Sequence, residues 1–367
     1  MIRSLWRDFD WLLLICTIAT IGFGVAMIYS ADPWSNSACP GTVPCAGRQV
    51  IYAVAGIVIL FFVAAMDYRF LRTLGWVAYA VALGLLIAVL GIGAVSGGSR
   101  RWLDLGLLPV QPSELAKLLV IIGLAKYMAD NDMRQFRHVL ISLVLAIIPM
   151  GLIYQQPDLG TALSIMVVWL AMAFVAGMRV FHMGLLGLSA GVALPLALTK
   201  LEGYMQDRIV LFLDPTRDPM GIGFSVTQAL IAVGSGGWLG RGYASGTQSQ
   251  LRFLRVRHTD FIFSVLAEEL GFVGALILFA LLAFLILRIV RAAHLARDDF
   301  GRLIAVGIAT VILFQAFVNI GVNINLVPAT GMPLPFVSYG GSSLMTLLMA
   351  LGLVQSIVMR RPRAFEF

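Results

Sequence analysis

The chain has 367 residues, of which 60% are apolar and only 12% charged, and its mean hydropathy is +0.92. That balance excludes an ordinary soluble domain, and apolar runs of about eighteen or more residues recur along the whole length, as in a polytopic helical membrane protein. The net charge of +7 invites a nucleic-acid partner, but the basic residues sit in short gaps between the apolar runs, which excludes that reading.

Ten transmembrane helices are predicted, over residues 11–30, 48–66, 74–94, 112–129, 138–154, 160–177, 182–199, 261–287, 303–324 and 343–359. The expected fold is all-α, a single integral membrane domain over 1–367 with a large external loop, about 200–260, between spans seven and eight. The first span follows Arg3 and Arg7 as a signal peptide would. It is too long for a signal core and lacks a small-x-small cleavage site, so it reads as an anchor. One set of gaps carries fifteen Lys and Arg residues, and the short gaps of the other set carry only Arg48, Arg100 and Arg101. By the positive-inside rule both termini are expected in the cytoplasm.

The first external gap holds CPGTVPC, with Cys39 and Cys45. A disulfide is expected there, against the alternative of two free thiols. Cys16 is intramembrane, and no Cys/His cluster has zinc spacing. The third gap reads SGGSRRWLDLGLLPVQPSELAKL. Glu114 and Lys117 fall three apart on one helical face. A lysine within a span needs protein or water around it and a partner. Two readings stand: a structural ion pair, or a pair lining a polar cavity.

YQQPDLGTAL then joins spans five and six almost without a loop. Asp158 starts a helix, where capping alone suffices and a site role stays open. In the long gap, Phe224 to Val233 is an apolar stretch bounded by glycines, too short to span and suited to an interfacial or re-entrant helix. Its glycines make no phosphate-binding loop of the Walker type. LRFLRVRHTD places Arg252, Arg255 and Arg257 just above the membrane. That cluster suits a lipid pyrophosphate, or plain headgroup anchoring.

RHTDFIFSVLAEELG then carries three acids into an apolar helix. Asp260 is expected at the external rim, with Glu268 roughly 12 Å deeper and turned roughly 80° from it, and Glu269 about half a turn away. Acids at that depth need a wet cavity or a cation, and Lys117 is the candidate partner for Glu268 or Glu269. The expectation is a polar cavity opening outward, with Asp260 at its rim and a charge network at its floor. The last external gap, NIGVNINLVPATGMPLPFVSYGGSS, is irregular backbone suited to a cavity wall. Asn319 and Asn323 share a face there, and Ser338 lies in the same stretch.

Taken together, GSRRWLDLG, QPSELAK, YQQPDLGTAL, RIVLFLDPTRDPMGIGF, GTQSQL, HTDFIFSVLAEELGF and NIGVNINLVPATGMPLPFVSYGGSS resemble the SEDS family (shape, elongation, division and sporulation), in its RodA-like branch. One departure is the residue after Leu254, where the family usually has proline and this chain has Arg255. The resemblance implies a peptidoglycan glycosyltransferase. It would polymerise lipid II at the outer face of the bacterial cytoplasmic membrane, for elongation and shape, with a class B penicillin-binding protein as crosslinking partner and membrane lipids around it. It assigns the essential acid to Asp260, polar cavity positions to Glu114, Lys117, Asp158, Glu268 and Glu269, and external basic and aromatic positions to Arg48, Arg101 and Trp102. In such chemistry Asp260 would act as general base. Arg48, Arg101, Arg208 and Arg255, or a divalent cation (Mg or Mn), would steady the pyrophosphate charge. Asn319 and Ser338 join Glu114, Glu268 and Glu269 as supporting residues. A lipid II flippase is the competing reading, and a scaffold without chemistry a third.

Overall fold

The computed structural model describes residues 6–31, 43–96, 99–104, 109–199, 203–218, 221–251, 253–254 and 257–361. A 3-10 turn at Trp6–Asp8 leads into α1 (Trp11–Ala31), and a second lies at Pro215–Arg217. α2 (Cys45–Ala65), the short α3 (Tyr68–Thr73) and α4 (Gly75–Ile92) follow. Three short strands, β1 (Ala94–Ser96), β2 (Ser99–Asp104) and β3 (Pro109–Val110), precede α5 (Pro112–Asp130). Then come α6 (Phe136–Tyr154), α7 (Leu159–Val175), α8 (Val180–Thr199), α9 (Gly203–Leu213), α10 (Ile222–Ser235) and α11 (Thr247–Gln250). The chain closes with α12 (Ile262–Leu295), α13 (Asp299–Asn323) and α14 (Gly341–Met359).

Each predicted span has a helix: α1, α2, α4, α5, α6, α7, α8, α12, α13 and α14. Six of them (α1, α2, α6, α12, α13, α14) are long and apolar enough to cross a membrane by themselves, and α4, α7 and α8 carry shorter apolar stretches. The protein is a multi-pass membrane protein. The strands amend the all-α expectation locally: β2 pairs antiparallel with both β1 and β3 in a three-stranded patch between α4 and α5.

α5 falls short on hydropathy because it carries Glu114, Lys117 and Lys126, yet 14 of its 19 residues are buried. It runs through protein rather than lipid. α14 is equally enclosed and packs along α2, where Leu348 faces Gly56 and Gly352 lies against the Leu60 carbonyl. Small residues let two helix backbones approach, which drives association where lipid removes the hydrophobic contrast. On the far side of α2, Val54, Val58 and Phe62 recur every fourth residue at 59%, 63% and 67% exposure, a lipid-facing stripe.

α12 is broken where no sequence signal suggested it. Gly271 has φ 64° and ψ −161°, a conformation that costs a side-chain-bearing residue dearly. The break frees helical backbone groups, and the loop after α10 fills them. Arg241 and Gly242 N–H groups donate to the Glu268 and Glu269 carbonyls at 2.9 and 3.0 Å, while Phe272 and Val273 N–H groups donate to Gly237 and Trp238 at 2.9 and 3.1 Å. Irregular backbone at such depth survives only when protein satisfies it.

At the opposite, arginine-rich end, Asp10 is buried and caps α1 by accepting from Leu13 N at 3.0 Å. Its carboxylate also pairs with Arg288 at 2.6 Å, and its backbone exchanges two hydrogen bonds with the Gln355 amide. One residue thereby ties α1, α12 and α14 together. Asp10→Ala is expected to lower stability by about 2–4 kcal/mol, read as a lower unfolding temperature in detergent. Asp10→Asn, which keeps the cap, is expected to recover part of the loss.

Candidate active site

Asp260 lies just ahead of α12, not on it. The helix starts at Ile262, so the predicted helical angle between Asp260 and Glu268 does not apply. What fixes Asp260 is its backbone. Three successive carbonyls are held, two by the loop before α14 and one by α13. His258 O accepts from Tyr339 N at 2.9 Å. Thr259 O accepts from Ser338 Oγ at 2.6 Å. Asp260 O accepts from both Asn319 Nδ2 and Asn323 Nδ2, at 3.1 and 2.9 Å. Asn323 also receives Ser264 N and Ser264 Oγ on its Oδ1, at 3.0 and 2.6 Å. A side chain of α13 therefore caps α12. Asn319 has a further hold, donating to Met332 O at 2.8 Å.

The Asp260 carboxylate is half-buried and lies beside the loop between α13 and α14. A Cβ on Gly331, which has φ +75°, would stand 3.8 Å from Asp260 Oδ2. Arg208, on α9, donates to Ala329 O of the same loop at 2.6 Å. Gly160, at the start of α7, packs against Thr330 and Met332 of that loop. Arg48 and Tyr52, both on α2, lie close to Tyr339, with the Tyr52 and Tyr339 ring centroids 6.5 Å apart. The Tyr339 ring meets His258 edge-on, with centroids 5.6 Å apart. Burial pushes the Tyr339 hydroxyl up, neighbouring Tyr52 adds to that, and Arg48 works the other way. Gln49 closes the bracket, donating to Ser338 O at 3.1 Å and accepting from Gly340 N at 3.2 Å. Asp260, His258, Arg48, Arg208 and Tyr339 thus gather at one end of the bundle.

The expected charge network at the floor divides into two separate groups. Lys117 pairs with Glu114 at 2.8 Å, both about 4% exposed, and not with Glu268 or Glu269. A cavity of about 20 Å³ adjoins the pair, lined also by Ile308, Val311 and Thr346. Glu268 and Glu269 are fully buried and are spent on loop anchoring. Glu268 accepts from Thr247 Oγ1 at 3.0 Å and from Gln248 N at 3.1 Å. Glu269 accepts from Ser30 Oγ at 2.7 Å and from Ala244 N at 3.2 Å. Backbone and hydroxyl donors help to offset the cost of burying these carboxylates.

Asp158 caps α7, accepting from Thr161 N and Thr161 Oγ1 at 3.1 and 3.0 Å. The backbones of Arg101 and Trp102 lie in β2, with Trp102 opposite Ala94. Cys45 is disulfide-bonded. Its expected partner Cys39, like Arg255, lies outside the described residues. Arg257 is buried and donates from Nε to Ala31 O. Among the described residues no three His, Cys, Asp or Glu side chains gather to hold a metal ion. His258, Tyr339, Asn323 and Gln49 were not singled out as site residues. The spacing of Asn319 and Asn323 was the one available signal.

A partly buried acid, held through its backbone at one end of a helical membrane bundle, with Arg48 and Arg208 on elements that touch the same loop, makes up the candidate site of a membrane-embedded protein. The family described as Cell cycle protein, that of FtsW, RodA and SpoVE, matches residues 10–362, and the chain belongs to it. It is 39% identical over 357 residues to stage V sporulation protein E of Bacillus subtilis, covering 95% of this chain and 96% of that one. It is 38% identical to the peptidoglycan glycosyltransferase MrdB of Escherichia coli K12, covering 94% and 92%. Among solved structures, it superposes with a TM-score of 0.81 at 32% identity on a chain from a study of polymerization and crosslinking by a peptidoglycan synthase complex, covering 97% and 99%. The rod shape determining protein RodA of Thermus thermophilus gives 0.72 at 31%, covering 98% and 99%.

Proposed function

We propose that this protein is a peptidoglycan glycosyltransferase that polymerises lipid II at the outer face of the cytoplasmic membrane, with both termini in the cytoplasm. The observation that carries the reading is the backbone clamp on Asp260. It holds one carboxylate still at the bundle mouth, where a lipid-linked sugar would arrive. The relatives named peptidoglycan glycosyltransferase support the reaction class. The fifteen-to-three bias of basic residues between the two sets of short gaps supports the orientation.

In the reaction, a sugar hydroxyl attacks the anomeric carbon of a second lipid-linked sugar. The new glycosidic bond forms as the bond to the lipid pyrophosphate breaks. Asp260 takes the hydroxyl proton as general base, and the pyrophosphate leaves with its electron pair. Arg48 and Arg208 lie near enough to this mouth to steady that departing charge. His258 and Tyr339, joined to each other through Tyr339 N and the His258 carbonyl and lying near Arg48, keep acid and arginine in register.

Purified protein given lipid II in detergent is expected to make glycan polymer. A flippase would make none, because detergent offers no two leaflets, and an absence of polymer with folded protein would overturn the reading. A class B penicillin-binding protein is the partner proposed, supported by the likeness to a chain from a peptidoglycan synthase complex. The cellular role assigned is elongation, supported by the likeness to a rod shape determining protein. Depletion is then expected to give rounded cells under the microscope. Long filaments, or a defect confined to spores, would assign it to division or sporulation.

A further inference from the structure

The arginine-rich end carries a site that the proposed reaction does not use. A cavity of about 300 Å³ opens where the start of α1 meets the ends of α12 and α14. Four arginines line it, Arg7, Arg288, Arg291 and Arg361, against two acids, Asp8 and Asp10. Both acids are already committed: Asp10 pairs with Arg288 at 2.6 Å and Asp8 with Arg361 at 3.1 Å. Among the described residues the Arg7 and Arg291 side chains have neither an ion pair nor a hydrogen bond. The cavity thus keeps two uncompensated positive charges.

Its rim is apolar. Trp11 and Leu12, also in the lining, are 53% and 54% exposed. Beside them Trp6, Phe9 and Phe61 cluster, with Phe9 and Phe61 stacked at 5.6 Å. Aromatic rings at this level mark the membrane–water interface. A ligand that fills the site must be anionic at one end and apolar at the other. We propose that this cavity binds the headgroup of an anionic phospholipid from the leaflet at the arginine-rich end, with Arg7 and Arg291 on its phosphate and the acyl chains running past Trp11 and Leu12. Basic pockets between transmembrane helices are suited to such headgroups, and guanidinium forks suit phosphate. Because Asp10 and Arg288 already join α1, α12 and α14 here, the lipid would brace the same three helices from outside.

The test uses the full chain in neutral detergent, with diphosphatidylglycerol, phosphatidylcholine and inorganic phosphate as separate probes. Binding is followed by native mass spectrometry and by the unfolding temperature. Diphosphatidylglycerol is expected to bind and raise the unfolding temperature, and the other two to do neither. The Arg7→Gln/Arg291→Gln double variant is expected to unfold at the parental temperature without lipid and to bind diphosphatidylglycerol about 30-fold more weakly. Equal binding of the neutral lipid, an equal effect of free phosphate, or undiminished binding by the double variant would each overturn the proposal. None of these readouts involves lipid II, so the outcome is independent of the proposed activity.

Discussion

Replacing Asp260 by asparagine is expected to lower lipid II polymerisation by about 10²- to 10⁴-fold. The amide keeps the shape of the carboxylate but loses its negative charge and its capacity to take a proton. The hydrogen bonds that place the residue end on its backbone carbonyl, from Asn319 and Asn323, so the clamp survives the exchange. Unfolding temperature, and binding of the proposed transpeptidase partner, should therefore match the parent. That combination separates a chemical role from a scaffolding one. A variant retaining more than about a tenth of parental polymerisation would exclude Asp260 as the base. Asn323→Ala is instructive beside it. It removes one donor to Asp260 and the cap on Ser264, so it should lower both stability and rate.

The second large effect is expected at the buried pair on α5. Lys117→Met leaves Glu114 enclosed without its cation, and the loss of stability should reach about 3–5 kcal/mol. Glu114→Leu combined with Lys117→Met removes both charges and should recover most of it, since an apolar pair of similar volume avoids the desolvation cost. Unfolding temperatures of the two single variants and the double, taken in one detergent, measure the coupling. If the double variant regains stability without regaining polymerisation, the pair serves the reaction as well as the fold. If both return together, its role is packing.

The membrane-spanning framework was legible in the sequence because hydropathy is a local property. All ten spans have helices in place, with most ends within a few residues and α12 running eight residues past the predicted end, to Leu295. The 258–260 stretch stood out in the sequence too, since acids entering an apolar run demand an explanation. What could not be read was the pairing of distant side chains. Glu268 and Glu269 looked like a charge network with Lys117, but they are satisfied by residues 244–248 and by Ser30. Nothing in local periodicity encodes a contact across 239 positions. The break at Gly271 was hidden for the same reason, because the groups that compensate it lie on the loop at 237–242. The β1–β3 patch escaped because its strands are two to six residues long and rich in glycine and arginine around the turns, which gives alternation little length to show itself.

The enclosure of α5 has a consequence for how the chain is made. Glu114, Lys117 and Lys126 each oppose partition of this segment from the translocon into bilayer, by up to about 3 kcal/mol for a charge near mid-membrane. Synthesised alone, the segment would be a poor stop-transfer sequence. Its neighbours α4 and α6 have to receive it laterally, so biogenesis of this protein is cooperative across at least three segments, and an early truncation after α5 should leave a product open to quality-control proteolysis.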